Sequence, residues 1–173
     1  RQELLETARC DIKQIFSAVT ADLAPSIEAK QQRVTLDLSS EARQIDGDPA
    51  KLHDIVRNLV ENAVNYSPEG AEVRLGAMQR DGTYMITVAD SGPGIPAEDL
   101  TRVFERFYRV DKSRARPGGT GLGLAIVRKG VERMGGRVGL ESQSDHGSRF
   151  WVELPADVGQ AKQPDANKTV PPK

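Results

Sequence analysis

The sequence predicts an α/β protein, a two-layer sandwich in which about three helices pack on one face of a mixed, mostly antiparallel sheet. Three observations carry that reading. A capped amphipathic helix spans Pro49 to Tyr66, two pairs of alternating segments over 72–90 and 137–154 read as hairpins, and apolar residues every four positions from Ile15 to Ile27 read as another helix. Strands that pair with each other while helices gather on one side give a layered core. The 173 residues suit a single domain, long enough to remove roughly two thirds of the unfolded surface from water.

Taken in order, Ile15, Val19, Leu23 and Ile27 line one face of a helix expected over Ile12 to Gln32, with Pro25 bending it. Arg33–Leu38 alternates polar with apolar and is expected as a half-buried strand, followed by a polar turn through Ser39, Ser40 and Glu41. Asp48 is a good N-cap and Pro49 sits at the first helical position, where its missing amide costs nothing. Ser67-Pro68-Glu69-Gly70 ends that helix. Glu72–Gln79 and Thr83–Asp90, joined by Arg80-Asp81-Gly82, are expected to pair antiparallel. Residues 91–120 are rich in glycine, proline and charge, too long for a simple connection, and read as a mobile lid. A helix over Thr120 to Met134 stops at Gly135-Gly136, and strands Arg137–Ser142 and Ser148–Leu154 close the fold. The expected organisation is a leader over 1–7, a domain over 8–155, and a tail over 156–173 too poor in apolar residues to order.

A net charge of −1 creates no long-range field that would recruit nucleic acid or anionic lipid, so any basic site is local. The single cysteine, Cys10, excludes an internal disulfide framework and fits a reducing compartment. No apolar run approaches the roughly 20 residues of a spanning helix, and Arg1-Gln2-Glu3 does not read as a signal peptide.

Four segments carry candidate chemistry. Asn58, Glu61, Asn62 and Asn65 fall at i, i+3, i+4 and i+7 and share a helical face opposite Leu52, Ile55, Val56, Leu59 and Ala63. A solvated face is one reading; but such faces favour lysine and glutamate, whereas three asparagines cost helix propensity. Amide oxygens are hard neutral ligands suited to Mg²⁺. Asp90 continues the inward row of Tyr84, Ile86 and Val88 at a strand end, opening Asp90-Ser-Gly92-Pro-Gly94-Ile95. A carboxylate there suits a donor such as the amine of adenine; a tight capped turn is the alternative. Gly118-Gly-Thr120-Gly121-Leu122-Gly123-Leu124 precedes a helix, placing backbone amides and the positive helix end where a phosphate could sit. It lacks the Lys-Ser/Thr of a P-loop and the third glycine of a dinucleotide fingerprint. Phe104-Glu-Arg106-Phe107-Tyr108-Arg109-Val-Asp111-Lys112 mixes aromatics with cations able to grip a phosphate.

In this order and spacing, over roughly residues 8–155, these segments resemble the ATP-binding domain of bacterial sensor histidine kinases, a superfamily shared with gyrase, the Hsp90 chaperones and the mismatch-repair ATPases. Asn58–Tyr66 is similar to the N box, Asp90–Gly94 to the first glycine box, Phe104–Phe107 to the F box, Gly119–Gly123 to the second glycine box, and Gly147-Ser148 to a weaker third. The resemblance implies a Bergerat-type fold with a flexible ATP lid, and ATP with Mg²⁺ as ligands. It implies that Asn62 coordinates Mg²⁺, Asn58 assists the metal and phosphate shell, and Tyr66 stacks near adenine. Asp90 would read the adenine amine, Gly92, Gly94 and Ile95 would shape the base pocket, and Tyr108 and Arg109 would reach the sugar and terminal phosphate. Thr120, Gly121, Leu122, Gly123 and Leu124 would wrap the phosphates. The family usually has lysine where this chain has Asn65, a departure that moves one phosphate contact toward Arg106 or Lys112.

The ATPase branches of that superfamily, and the related serine kinases, place a general-base glutamate four residues before the metal asparagine; here Asn58 stands there. An amide cannot take a proton, and Glu61 points about 100° away from Asn62, so a ready nucleophile such as imidazole is implied. Asn58, Asn62 and Arg109 are then the expected catalytic set. His53-Asp54 begins like a phosphoacceptor signature but lacks the proline four residues on, and His146 falls in a hairpin turn, so neither reads as the acceptor. The resemblance therefore implies an acceptor histidine on an upstream dimerisation domain, with the first residues as its remnant, a response regulator as the next partner, and no nucleic acid. It also implies a monomeric fragment of a homodimeric parent, lying in the cytoplasm and anchored through its parent to the bacterial inner membrane. A same-superfamily ATPase or serine kinase, and a degenerate nucleotide-sensing or partner-binding module, remain the alternatives.

Overall fold

The computed structural model describes residues 6–95, 98–99, 102–105, 123–142 and 147–156. Two sheets and four α-helices form among them. A five-stranded sheet runs β2 (Arg33–Leu38), β4 (Glu72–Arg80), β5 (Thr83–Asp90), β7 (Ser148–Pro155) and β6 (Arg137–Ser142) across its width. Only the β2–β4 pair is parallel, and β4–β5, β5–β7 and β6–β7 are antiparallel. The expected sandwich class and both hairpins are therefore present.

Alternation sets the two faces. Val73, Leu75 and Ala77 of β4, Tyr84, Ile86, Val88 and Asp90 of β5, and Phe150, Val152 and Leu154 of β7 are buried, while their neighbours are less so. On that buried face lies α3 (Pro49–Tyr66), packed between α1 (Ile12–Asp22) and α4 (Gly123–Arg133). Leu52, Ile55, Val56, Leu59, Val60, Ala63 and Val64 of α3 are all buried, so one helix supplies the centre of the core. Each of these valines, leucines and isoleucines contributes roughly 1.5–3 kcal/mol by leaving water. Asp48 caps α3 as expected, its Oδ1 accepting from Ala50 N (3.1 Å) and Lys51 N (3.2 Å).

The helix expected over Ile12 to Gln32 is two helices, α1 and α2 (Ala24–Ala29), broken at Leu23. Pro25 has no N–H to continue the ladder but fits the first turn of a new helix, where none is needed. The polar turn is a short 3₁₀ segment over Ser40–Ala42. A second, two-stranded sheet was not expected: β1 (Ala8–Asp11) pairs antiparallel with β3 (Gln44–Gly47), Ala8 opposite Gly47. Ala8-Arg9-Cys10-Asp11 and Gln44-Ile45-Asp46-Gly47 each alternate, but four residues are the shortest run that signals a strand. Glu6 N donates to Asp48 Oδ2 at 3.0 Å, so the incoming chain is tied to the cap of α3. Cys10 is buried there; burial first, then Asp48 and Asp46, push its thiol above the usual range. The fourth helix is described from Gly123, and Thr120 to Leu122, where it was expected to begin, lie outside the described residues. Of the expected tail over 156–173 only Ala156 is described, packed against the core with its N donating to Gly82 O (2.8 Å); the rest of it and the greater part of the expected lid lie outside the described residues.

Candidate functional site

The end of β5, the polar row of α3 and the start of α4 converge. Asp90 ends the inward row of β5 and is 8% exposed. Its Oδ1 accepts from Gly92 N at 2.9 Å. Burial pushes its carboxyl above the ordinary value, while the backbone amides of Gly92 and Ser148 pull the other way. A buried carboxylate with accepting capacity at a strand end is matched to a ligand that donates.

The glycines around it are dictated by space. A Cβ on Gly92 would stand 2.9 Å from Asp90 Oδ1, 3.3 Å from Tyr66 O and 3.4 Å from Ser67 Cα. A Cβ on Gly147 would stand 2.1 Å from Asp90 O, and its φ of +84° already favours glycine. The first and third glycine segments thus pack on Asp90 from two sides. Ser142 locks this corner: its Oγ accepts from Ile95 N (2.6 Å), donates to Gly147 O (3.1 Å) and lies 3.1 Å from Ser148 Oγ. Ile95 is buried, and Gly94 has a φ of +79°.

On α3, Asn58, Glu61, Asn62, Asn65 and Tyr66 are half-buried, between the core stripe and solvent. Asn58 Nδ2 donates to Asp54 O at 2.7 Å, which turns Oδ1 outward from its own helix. That oxygen would lie 3.1 Å from a Cβ on Gly123, so α4 begins directly against Asn58. Leu124, next along, packs against the core. Of the F segment, Val103 is buried and Phe104 meets Phe150 edge-on, 6.0 Å between centroids, anchoring the loop to β7. The remaining expected residues of the set, Arg106, Tyr108, Arg109, Lys112, Thr120, Gly121 and Leu122, lie outside the described residues.

His53 is directed elsewhere, with Nε2 3.9 Å from Asp22 Oδ2 of α1, an oxygen that Arg57 also approaches at 3.7 Å. Asp54, the other carboxylate of the α3 row, is eight residues from Asn62, about 12 Å along the helix axis. Among the described residues no group of three or more His, Cys, Asp or Glu side chains gathers to hold a metal.

Sequence reasoning missed Ser142, Lys30 and Gln32. Lys30 Nζ and Gln32 Nε2 donate to carbonyls at the C-terminal end of α3, across more than thirty residues of sequence. No local pattern signals such contacts.

The model of the histidine kinase-, DNA gyrase B- and HSP90-like ATPase family matches residues 47–158, from the end of β3 to just past β7. The sensor-like histidine kinase SenX3 of Mycolicibacterium smegmatis is 40% identical over 146 residues, which is 84% of this chain and 38% of that protein. The structure of full-length ShkA in complex with AMPPNP is 33% identical, with a TM-score of 0.78 over 90% of this chain and 32% of that one. The catalytic domain of histidine kinase ThkA, at 23% identity and a TM-score of 0.76, has the same fold over 88% of this chain and 97% of that one. This chain spans well under half the length of the first two.

Proposed function

Because the chain belongs to the family of histidine kinase-, DNA gyrase B- and HSP90-like ATPases and has the fold of a histidine kinase catalytic domain, we propose that it binds Mg-ATP and passes the γ-phosphate to a histidine outside these residues. The observation that carries the reading is Asp90, a buried acceptor framed by glycines that pack against it and against the C-terminal end of α3. Asp90, oriented by Gly92 N, accepts the adenine amine, and Gly92 lets that turn pack closely against the end of α3. The binding of AMPPNP by ShkA, a relative by both sequence and fold, supports an adenine nucleotide in this pocket.

Asn62 and Asn58 offer amide oxygens toward the phosphates, and Asn58 is oriented by its bond to Asp54 O. Mg²⁺, when bound with the nucleotide, would screen phosphate charge. Arg109, with Arg106 or Lys112, supplies cations to the terminal phosphate, and Thr120 to Leu124 covers it. Asn58 stands where a general base would be needed, and neither Glu61 nor Asp54 replaces it in direction or distance. No residue of this row takes a proton from water, so the reaction calls for a nucleophile that attacks as a neutral base. An imidazole nitrogen forms the new N–P bond as the bond from phosphorus to the ADP oxygen breaks, and the ring proton is lost to solvent. Catalysis is then positioning and charge stabilisation. The acceptor lies on the parent's own dimerisation domain, the phosphoryl group passes on to an aspartate of a response regulator, and the parent is held at the inner membrane. Among the described residues no helix is long and apolar enough to cross one.

Incubating the chain with Mg-ATP and an acceptor-helix hairpin tests the reading. Labelled phosphate is expected on the hairpin histidine, none on this chain, and Asn62→Ala lowers transfer at least about a hundredfold. Tight ATP binding without transfer would sink the kinase reading, and steady turnover by the chain alone would favour an ATPase.

A further inference from the structure

We propose that Lys30 and Gln32 are positioning residues of the adenine pocket, acting through the C-terminal end of α3; this rests on the adenine-nucleotide reading above. Lys30 Nζ lies 2.9 Å from Val64 O, 2.9 Å from Asn65 O and 3.0 Å from Ser67 O. Gln32 Nε2 lies 3.0 Å from both Val64 O and Ser67 O. Val64 O and Asn65 O lie in the last turn of α3, where carbonyls lack an intrahelical donor, Ser67 is its C-cap, and an ammonium there also neutralises the negative helix end.

The clamp is itself fixed. Lys30 follows α2, the left-handed Gln31 (φ 51°) turns the chain into β2, Lys30 O accepts from Gly70 N (2.8 Å), and Arg33 N donates to Ala71 O (3.0 Å). The α2–β2 corner and the α3–β4 corner are thereby tied together. On its other side, the same stretch of chain faces Gly92: the position of a Gly92 Cβ is 3.3 Å from Tyr66 O and 3.4 Å from Ser67 Cα. Gly92 N in turn donates to Asp90 Oδ1. Lys30 and Gln32 therefore hold Tyr66 and Ser67 against the glycine whose amide orients Asp90, so they act on the group that reads the base and not on the phosphates.

The test compares adenosine, ADP, Mg-ATP and inorganic triphosphate by calorimetric titration of the full chain, well below each variant's melting midpoint. Lys30→Met is expected to weaken the three adenine ligands by one common factor, about fivefold, and to leave triphosphate unchanged. Lys30→Arg is expected to restore most of the affinity, and Gln32→Leu gives the same readout should Lys30→Met fail to fold. A lowered melting midpoint with unchanged adenosine affinity, or a loss confined to Mg-ATP, overturns the proposal. Variants that match a wild type able to bind ATP overturn it alone. A wild type that binds no adenine ligand overturns the functional reading with it.

Discussion

Asp90 is a buried carboxyl at the end of β5 whose Oδ1 accepts from Gly92 N. Its inward parity on β5 was legible because Tyr84, Ile86 and Val88 precede it at a period of two, and the structure buries all four. That Gly147 would press its Cβ onto Asp90 O was not legible, since 57 residues separate them in the chain. Burial raises the Asp90 carboxyl, so the folded state keeps that proton to higher pH than the unfolded chain. The stability this group contributes is therefore full at acid pH and lost as pH rises through its folded value. Asp90→Asn removes the buried charge while keeping an oxygen for Gly92 N. Its melting midpoint at neutral pH is expected to equal or exceed that of the wild type, the gap closing as pH falls. The same variant turns an amide donor toward the adenine amine, and its affinity for ATP is expected to fall at least about tenfold in a direct titration. Lower stability at neutral pH would contradict the cost assigned to the buried carboxyl.

At the scale of elements, α3 does two jobs at once, and its sequence states both. The apolar stripe that packs against the sheet and the amide row that faces the site are consequences of one 3.6-residue period. Asp48 caps the helix through Oδ1 and receives Glu6 N on Oδ2, so it joins the incoming chain to the site helix. Asp48→Ala is expected to lower the unfolding free energy by about 1–2 kcal/mol in urea titration. An unchanged midpoint would mean that the cap contributes nothing. The elements that were misjudged share a cause. The break at Leu23 depends on which side of Pro25 the helix abandons, and β1 and β3 become strands only by meeting each other. Local propensity is weak where tertiary partners choose.

For the whole molecule, the site is assembled from chain segments far apart in sequence: the end of α3, the turn after β5, the start of α4 and the β6–β7 hairpin. A ligand that bridges them binds only the folded state and stabilises it. At a hundredfold excess over its dissociation constant, Mg-ATP is expected to raise the melting midpoint by roughly 5–10 °C, and GTP at equal concentration to do much less. Equal shifts by the two nucleotides would remove Asp90 as the reader of the base. The fold class, the helix and hairpins nearest the site, and the motifs that place the chain in its family are legible in the residues alone, because periodicity, caps and turn residues act within a few positions. The second helix at Pro25, the pairing of β1 with β3, the bonds of Lys30 and Gln32 to the end of α3 and the tie of Ser142 between Ile95 and Gly147 emerge only in three dimensions. Those outcomes depend on carbonyls and hydroxyls finding donors across long loops, a condition of space that no short stretch of sequence encodes.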